Sequence, residues 1–168
     1  YTLMHHGKPI CEIRLSIPGK HNILNSMACA AVCLYLGMNP EEMAEHIDKF
    51  PGAGRRFEIL GEVNGVTIAD DYAHHPTEIA ATLKAAKEMD FHEVWAVFQP
   101  FTYSRTALLM DDFVTALSVA DHVVMSEIMG SREKNTYNIY TKDLAEKIPG
   151  SVWFNTCLLY TSDAADDM

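Results

Sequence analysis

The sequence predicts an α/β protein: a mostly parallel sheet with crossover helices, preceded by a strand and a helical segment. Three observations carry this. Between residues 66 and 154, short apolar or β-branched runs alternate with helical patterns of about 10–15 residues, the rhythm of βαβ units. Asn64-Gly65 stands between two β-like runs, a strong hairpin signal. Asn39-Pro40-Glu41-Glu42 offers an N-cap, a proline at the first helical position and acids in the first turn.

Composition narrows the classes. The 168 residues are 48% hydrophobic, so the chain can bury a core and is not disordered. A net charge of −10 argues against a nucleic-acid binder, which needs a basic face. Phosphate ligands stay open, because local arginines and helix N-termini can hold them. No apolar run approaches the roughly 18 residues of a membrane span, and no secretory signal is visible. The chain does not begin with methionine, so a fragment or processed product is expected. Cys11, Cys29, Cys33 and Cys157 form no CxxC pair, which leaves zinc ribbons and thioredoxin-like sites without support. Cys29 and Cys33, at i and i+4, are expected to pack in a core. The compartment reads as reducing, hence cytoplasmic.

Taken in order, residues 1–17 alternate loosely and read as a strand or hairpin arm, broken by Pro18-Gly19-Lys20. An apolar helix is expected from His21 to about Leu36, closed by Gly37, and a second from Pro40 to about Phe50. Pro51-Gly52-Ala53-Gly54 marks the best domain boundary. Two hairpin arms follow, to Val63 and from Val66. The alternation then gives a helix over 76–89, a buried strand over 93–98, a helix over 104–118 and a strand over 122–126. A loop with Arg132, Glu133 and Lys134, a helix over 142–147 and a strand over 152–154 complete it. No GxGxxG follows any strand, so dinucleotide binding has no support. Residues 157–168 have no period and resemble the translation of a sequencing-library transposase adapter; they are set aside from fold reasoning as an expected artefact.

Four constellations could carry chemistry. Asp70-Asp71-Tyr72-Ala73-His74-His75-Pro76-Thr77-Glu78 sits where a strand hands over to a helix, and open α/β sheets bind ligands beyond strand carboxyl ends. Pro76 suits the first helical turn, and Glu78 lies at the favourable end of the helix dipole. A capped turn with polar decoration fits the same residues. His21, Asn22 and Asn25 cluster at a helix start; the amides suit an adenine edge or, equally, capping and local bonding. Arg55-Arg56 could grip phosphate or be a solvated pair. Residues 99–106, Gln-Pro-Phe-Thr-Tyr-Ser-Arg-Thr, follow another strand end. There Ser104 or Thr102 could cap a helix whose N-terminus is an anion site, with Arg105 beside it. His5, His6, His46, His92 and His122 have no metal-ligand spacing, and no metal ligand is assigned in this chain.

Together, HNILN at 21–25, GAGRRFE at 52–58, DDYAHHPTEI at 70–79 and FQPFTYSRT at 98–106 resemble the Mur ligase family in order and spacing, over residues 1–156. The likeness is strongest to its alanine-adding branch. A recycling branch that takes murein tripeptide shares the Ala-His-His-Pro stretch, but the residues from Phe98 to Thr106 favour the former. A non-catalytic nucleotide-binding module is the reading from another class. The resemblance implies that residues 1–52 are the C-terminal part of a central ATP-binding domain. It makes 53–156 most of a Rossmann-like C-terminal domain. The P-loop and the UDP-binding domain lie outside, so the chain alone is expected to be inactive. The implied chemistry uses ATP and Mg²⁺ to activate the lactyl carboxylate of UDP-N-acetylmuramate for attack by L-alanine, in peptidoglycan precursor synthesis. By motif position, Asn22 and Asn25 would contact adenine with His21 beside them. Arg56, with Arg55, would reach phosphate, and Asp71 would hold ribose. Tyr72 and His74 would face the muramoyl carboxylate and the incoming alanine, and Arg105 would bind that substrate end. Many relatives carry His, often His-Arg, where this chain has Phe101-Thr102, which leaves that half of the loop without an assigned role.

Overall fold

A computed structural model describes residues 1–155; the stretch expected to be adapter-derived lies outside them. The chain divides into two compact units, Tyr1–Tyr72 and the part from Ala73 onward.

The first unit begins with an antiparallel hairpin of β1 (Thr2–His5) and β2 (Lys8–Glu12). Helices α1 (Lys20–Tyr35) and α2 (Pro40–Asp48) follow. Leu3, Ile13, Ala30 and Met43 form the core, with Cys11, Leu15, Cys33, Leu34, Ala44 and Ile47 packed around it. Asn39 caps α2 as the sequence predicts, its Oδ1 accepting the N–H groups of Glu41 and Glu42 at 2.9 and 3.2 Å. Cys29 departs from expectation. It lies exposed while Cys33 is half-buried, because the inward stripe of α1 runs through Ser26, Ala30 and Cys33. The unit closes with the hairpin of β3 (Glu58–Val63) and β4 (Val66–Asp70). Asn64 and Gly65, with φ of 53° and 79°, supply the two left-handed residues that a tight type I′ turn requires.

The second unit opens with α3 (Pro76–Lys87) and contains a three-stranded parallel sheet in the order β5 (Trp95–Phe98), β6 (His122–Ser126), β7 (Val152–Phe154). The strands join through α4 (Tyr103–Leu108), α5 (Met110–Leu117) and α6 (Thr141–Ala145). Pairing runs Phe98 to Met125 and Met125 to Trp153. Helix α3 packs on α5. Phe113, Leu117, Met125 and Leu144 are fully buried, and the Phe113 ring lies 5.7 Å from that of Phe98.

Two expectations need correction here. The strand near 93–98 is not buried on both faces: Ala96 and Phe98 point into the core, but Trp95 and Val97 are 59% and 63% exposed. One face of the sheet is therefore open among the described residues. The single helix expected over 104–118 breaks at Leu109, where φ and ψ of −114° and 24° leave the helical region. The break lets α5 turn Phe113, Ala116 and Leu117 inward while α4 stays tied to the loop that precedes it.

Candidate functional site

In the first unit the backbone bends sharply before β3, with Arg55 and Phe57 at φ of 55° and 49°. Two carboxylates hold this bend. Asp71 Oδ2 accepts the Phe57 N–H at 2.8 Å, and Glu58 Oε2 accepts the Arg55 N–H at 2.7 Å. The Tyr72 N–H donates to the Arg55 carbonyl at 2.7 Å. The two guanidiniums consequently lie over the Tyr72 ring, 5.1 Å away for Arg55 and 5.9 Å for Arg56. Arg55 also donates from Nε to Asp70 at 3.1 Å. The geometry thus separates two arginines that the sequence treats alike: Arg55 is paired to Asp70, while Arg56, also exposed, rests against the aromatic face.

On α1, Asn22 donates to the Pro18 carbonyl at 2.6 Å, and Asn25 donates to Asn22 Oδ1 at 3.4 Å. The two amides meet at i,i+3 as their spacing predicts. Asn25 and His21 are exposed.

In the second unit, His74 and His75 occupy the turn that starts α3. His75 is the N-cap: its Nδ1 accepts the Thr77 N–H at 3.3 Å. Pro76 fills the first helical position. Glu78 does more than complement the dipole. Its Oε2 accepts the N–H groups of His74 and His75 at 3.2 and 3.3 Å and lies 3.8 Å from His74 Nδ1. Arg105 reaches the same turn, donating from Nη1 to the His74 carbonyl at 3.4 Å. Two motifs 31 residues apart in sequence are thereby brought together.

The anion site expected at the start of α4 is already filled. Neither Thr102 nor Ser104 caps this helix with its side chain. Instead Glu133 supplies the negative charge, accepting the Ser104 N–H at 2.9 Å and the Ser104 hydroxyl at 2.6 Å. These hydrogen bonds from Ser104, side chain first and then backbone, hold the Glu133 carboxyl below the usual range. Residues on both sides reinforce the contact. Phe101 bridges in parallel to Met129, Met129 N–H donates to Pro100 at 2.8 Å, and Thr102 N–H donates to Met129 at 2.9 Å. Thr102 sits at φ 67°, an uncommon conformation for a β-branched residue. The sequence gives no hint of the Glu133 contact beyond a charged triplet after a strand, since the partners are 29 residues apart.

Among the described residues no group of three or more His, Cys, Asp or Glu could hold a metal ion. His122 instead stacks on Trp95 at 4.2 Å and lies 3.5 Å from Glu93.

A family profile described as "Mur ligase, glutamate ligase domain" matches residues 55–163. The chain belongs to the Mur ligase family. It is 49% identical over 146 residues to the UDP-N-acetylmuramate–L-alanine ligase of Agathobacter rectalis, covering 87% of this chain and 32% of that protein. Among solved structures, the UDP-N-acetylmuramate–alanine ligase of Thermotoga maritima superposes with a TM-score of 0.73 at 30% identity, over 88% of this chain and 32% of that one. The murein peptide ligase of Psychrobacter arcticus gives 0.56 at 25% identity, over 86% and 31%. This Mur ligase chain therefore spans about a third of the length of the curated relatives it matches.

Proposed function

We propose that this chain serves in an ATP-dependent ligase that joins L-alanine to UDP-N-acetylmuramate. The observation that carries this is the 49% identity to an enzyme so named, over 87% of this chain. The higher TM-score and identity to an alanine ligase than to a murein peptide ligase favour the same branch.

In the proposed reaction an oxygen of the muramoyl carboxylate attacks the γ-phosphorus of ATP. The bond to ADP breaks and an acyl phosphate forms. The amine of L-alanine then attacks the acyl carbon, inorganic phosphate leaves, and the amine gives up a proton. Catalysis of this kind is mainly positioning and charge neutralisation. Arg56, held against Tyr72 and outside the Asp70 ion pair, is the better placed of the two arginines to neutralise phosphate oxygens. Asp71 is assigned to the ribose, and Asn22 and Asn25 with His21 to the adenine. Tyr72 and His74 are assigned to the carboxylate and the incoming amine, with Arg105 at the substrate end. Mg²⁺ carried with ATP would screen phosphate charge, with most of its ligands assigned outside the described residues. The described residues contain no helix long and apolar enough to cross a membrane, and a cytoplasmic setting is proposed.

The test is phosphate release by the full-length ligase. Release that needs ATP, UDP-N-acetylmuramate and L-alanine together supports the assignment. Release with a murein tripeptide but not with L-alanine moves the chain to the recycling branch. Absence of turnover with either acceptor leaves a non-catalytic nucleotide-binding module.

A further inference from the structure

We infer that Glu133 is a positioning residue, which sets Arg105 against the His74 turn through its grip on Ser104. The inference rests on the proposed role of Arg105 at the substrate end. Three observations lead to it. Glu133 binds both the amide and the hydroxyl of Ser104, the residue immediately before Arg105. Arg105 in turn donates to the His74 carbonyl, and Glu78 accepts the His74 and His75 N–H groups of the same turn. The segment leading to Glu133 is itself fixed: Met129 is bridged to Phe101, and Gly130 lies close against the Cε2 edge of the Tyr103 ring.

A carboxylate at the start of α4 does two jobs here. It satisfies donors that the first helical turn leaves open. It also sets the rotation of a short helix that carries a long, flexible arginine, which otherwise samples many rotamers. Loss of Glu133 leaves Arg105 chemically intact but frees the helix start beneath it. Misplacement by about 1 Å can cost roughly 100-fold in rate.

The test is a double-mutant cycle in the full-length ligase. Arg105→Ala is expected to lower kcat/KM, with the loss falling on KM for the muramoyl substrate and not on KM for ATP. Glu133→Ala should move the same parameter in the same direction by about 10- to 100-fold. Glu133→Gln, which keeps one oxygen acceptor for Ser104, should lose only about two- to tenfold. The double variant should be no worse than Arg105→Ala alone, because both act through one group. Ser104→Ala removes only the hydroxyl half of the grip and should raise KM for the muramoyl substrate by less than Glu133→Ala does. Fully additive losses, or a wild-type Glu133→Ala beside an impaired Arg105→Ala, overturn this inference alone. A wild-type Arg105→Ala overturns the substrate-end reading as well.

Discussion

Gly130→Ala tests the clasp between the loops after β5 and β6. A β-carbon built on Gly130 would lie 2.3 Å from Tyr103 Cε2, 3.0 Å from Cζ and 3.2 Å from Cδ2. Carbon atoms normally rest about 3.5–4.0 Å apart, so the ring must withdraw by about 1 Å. It cannot do so freely, because the backbone before it is bonded through Thr102 to Met129. The glycine has no left-handed φ, so the backbone itself accepts alanine and the steric effect stands alone. Overpacking of this kind costs typically 1–3 kcal/mol. In open space the same change would stabilise by about 0.4–1 kcal/mol through the unfolded chain, so the two outcomes differ in sign. At about 2 kcal/mol the melting temperature of a unit of roughly 100 residues falls by about 8–16 °C. Both tryptophans, Trp95 and Trp153, lie in this unit, so a fluorescence melt reports it selectively. Adding Tyr103→Ala should recover part of the loss, giving a cycle that is strongly non-additive. An unchanged or raised melting temperature would refute the proposed contact.

Three further outcomes follow from the same structure. Phe113→Ala, at a fully buried position against Phe98, should cost about 3–5 kcal/mol by urea denaturation. Gly65→Ala forces a side chain into φ 79° at the hairpin tip and should cost about 1–2 kcal/mol, seen as amide exchange in β3 and β4 faster by about 5- to 30-fold. Asp121 receives Lys87 Nζ at 2.8 Å on both oxygens and the Val94 N–H at 2.8 Å, which hold its carboxyl below the usual range. A lowered carboxyl pKa stabilises above the ordinary value of 3.8 and loses that contribution as pH falls through the lowered one. Asp121→Asn should therefore lower the urea midpoint at neutral pH, with a difference that vanishes in strong acid.

Legibility followed sequence distance. Asn39-Pro40, Asn64-Gly65 and Pro76 report their conformations locally, and the helix start, the turn and the helix entry all appear where those residues put them. The strands at 122–126 and 152–154 match the expected bounds, since short apolar runs between breakers leave little freedom. What the sequence hid depends on partners far along the chain. The double grip of Glu133 on Ser104, the reach of Arg105 to His74 and the stacking of both arginines on Tyr72 connect segments 16 to 31 residues apart. The exposure of Cys29 and Trp95 escaped for a related reason: composition marks a residue as apolar, but the packing of neighbouring elements selects its side. The break at Leu109 carries no Pro or Gly and has no local signature at all.

The open face of the sheet has a thermodynamic meaning of its own. Trp95, Val97, Val152 and Phe154 stand in water on strands whose opposite faces are packed. Anything that settles on that face binds the folded strands and not the unfolded chain. Its binding free energy then adds to the stability of β5, β6 and β7 by mass action. Coverage of that face would therefore be read as a melting temperature of the second unit that rises with the concentration of the covering molecule.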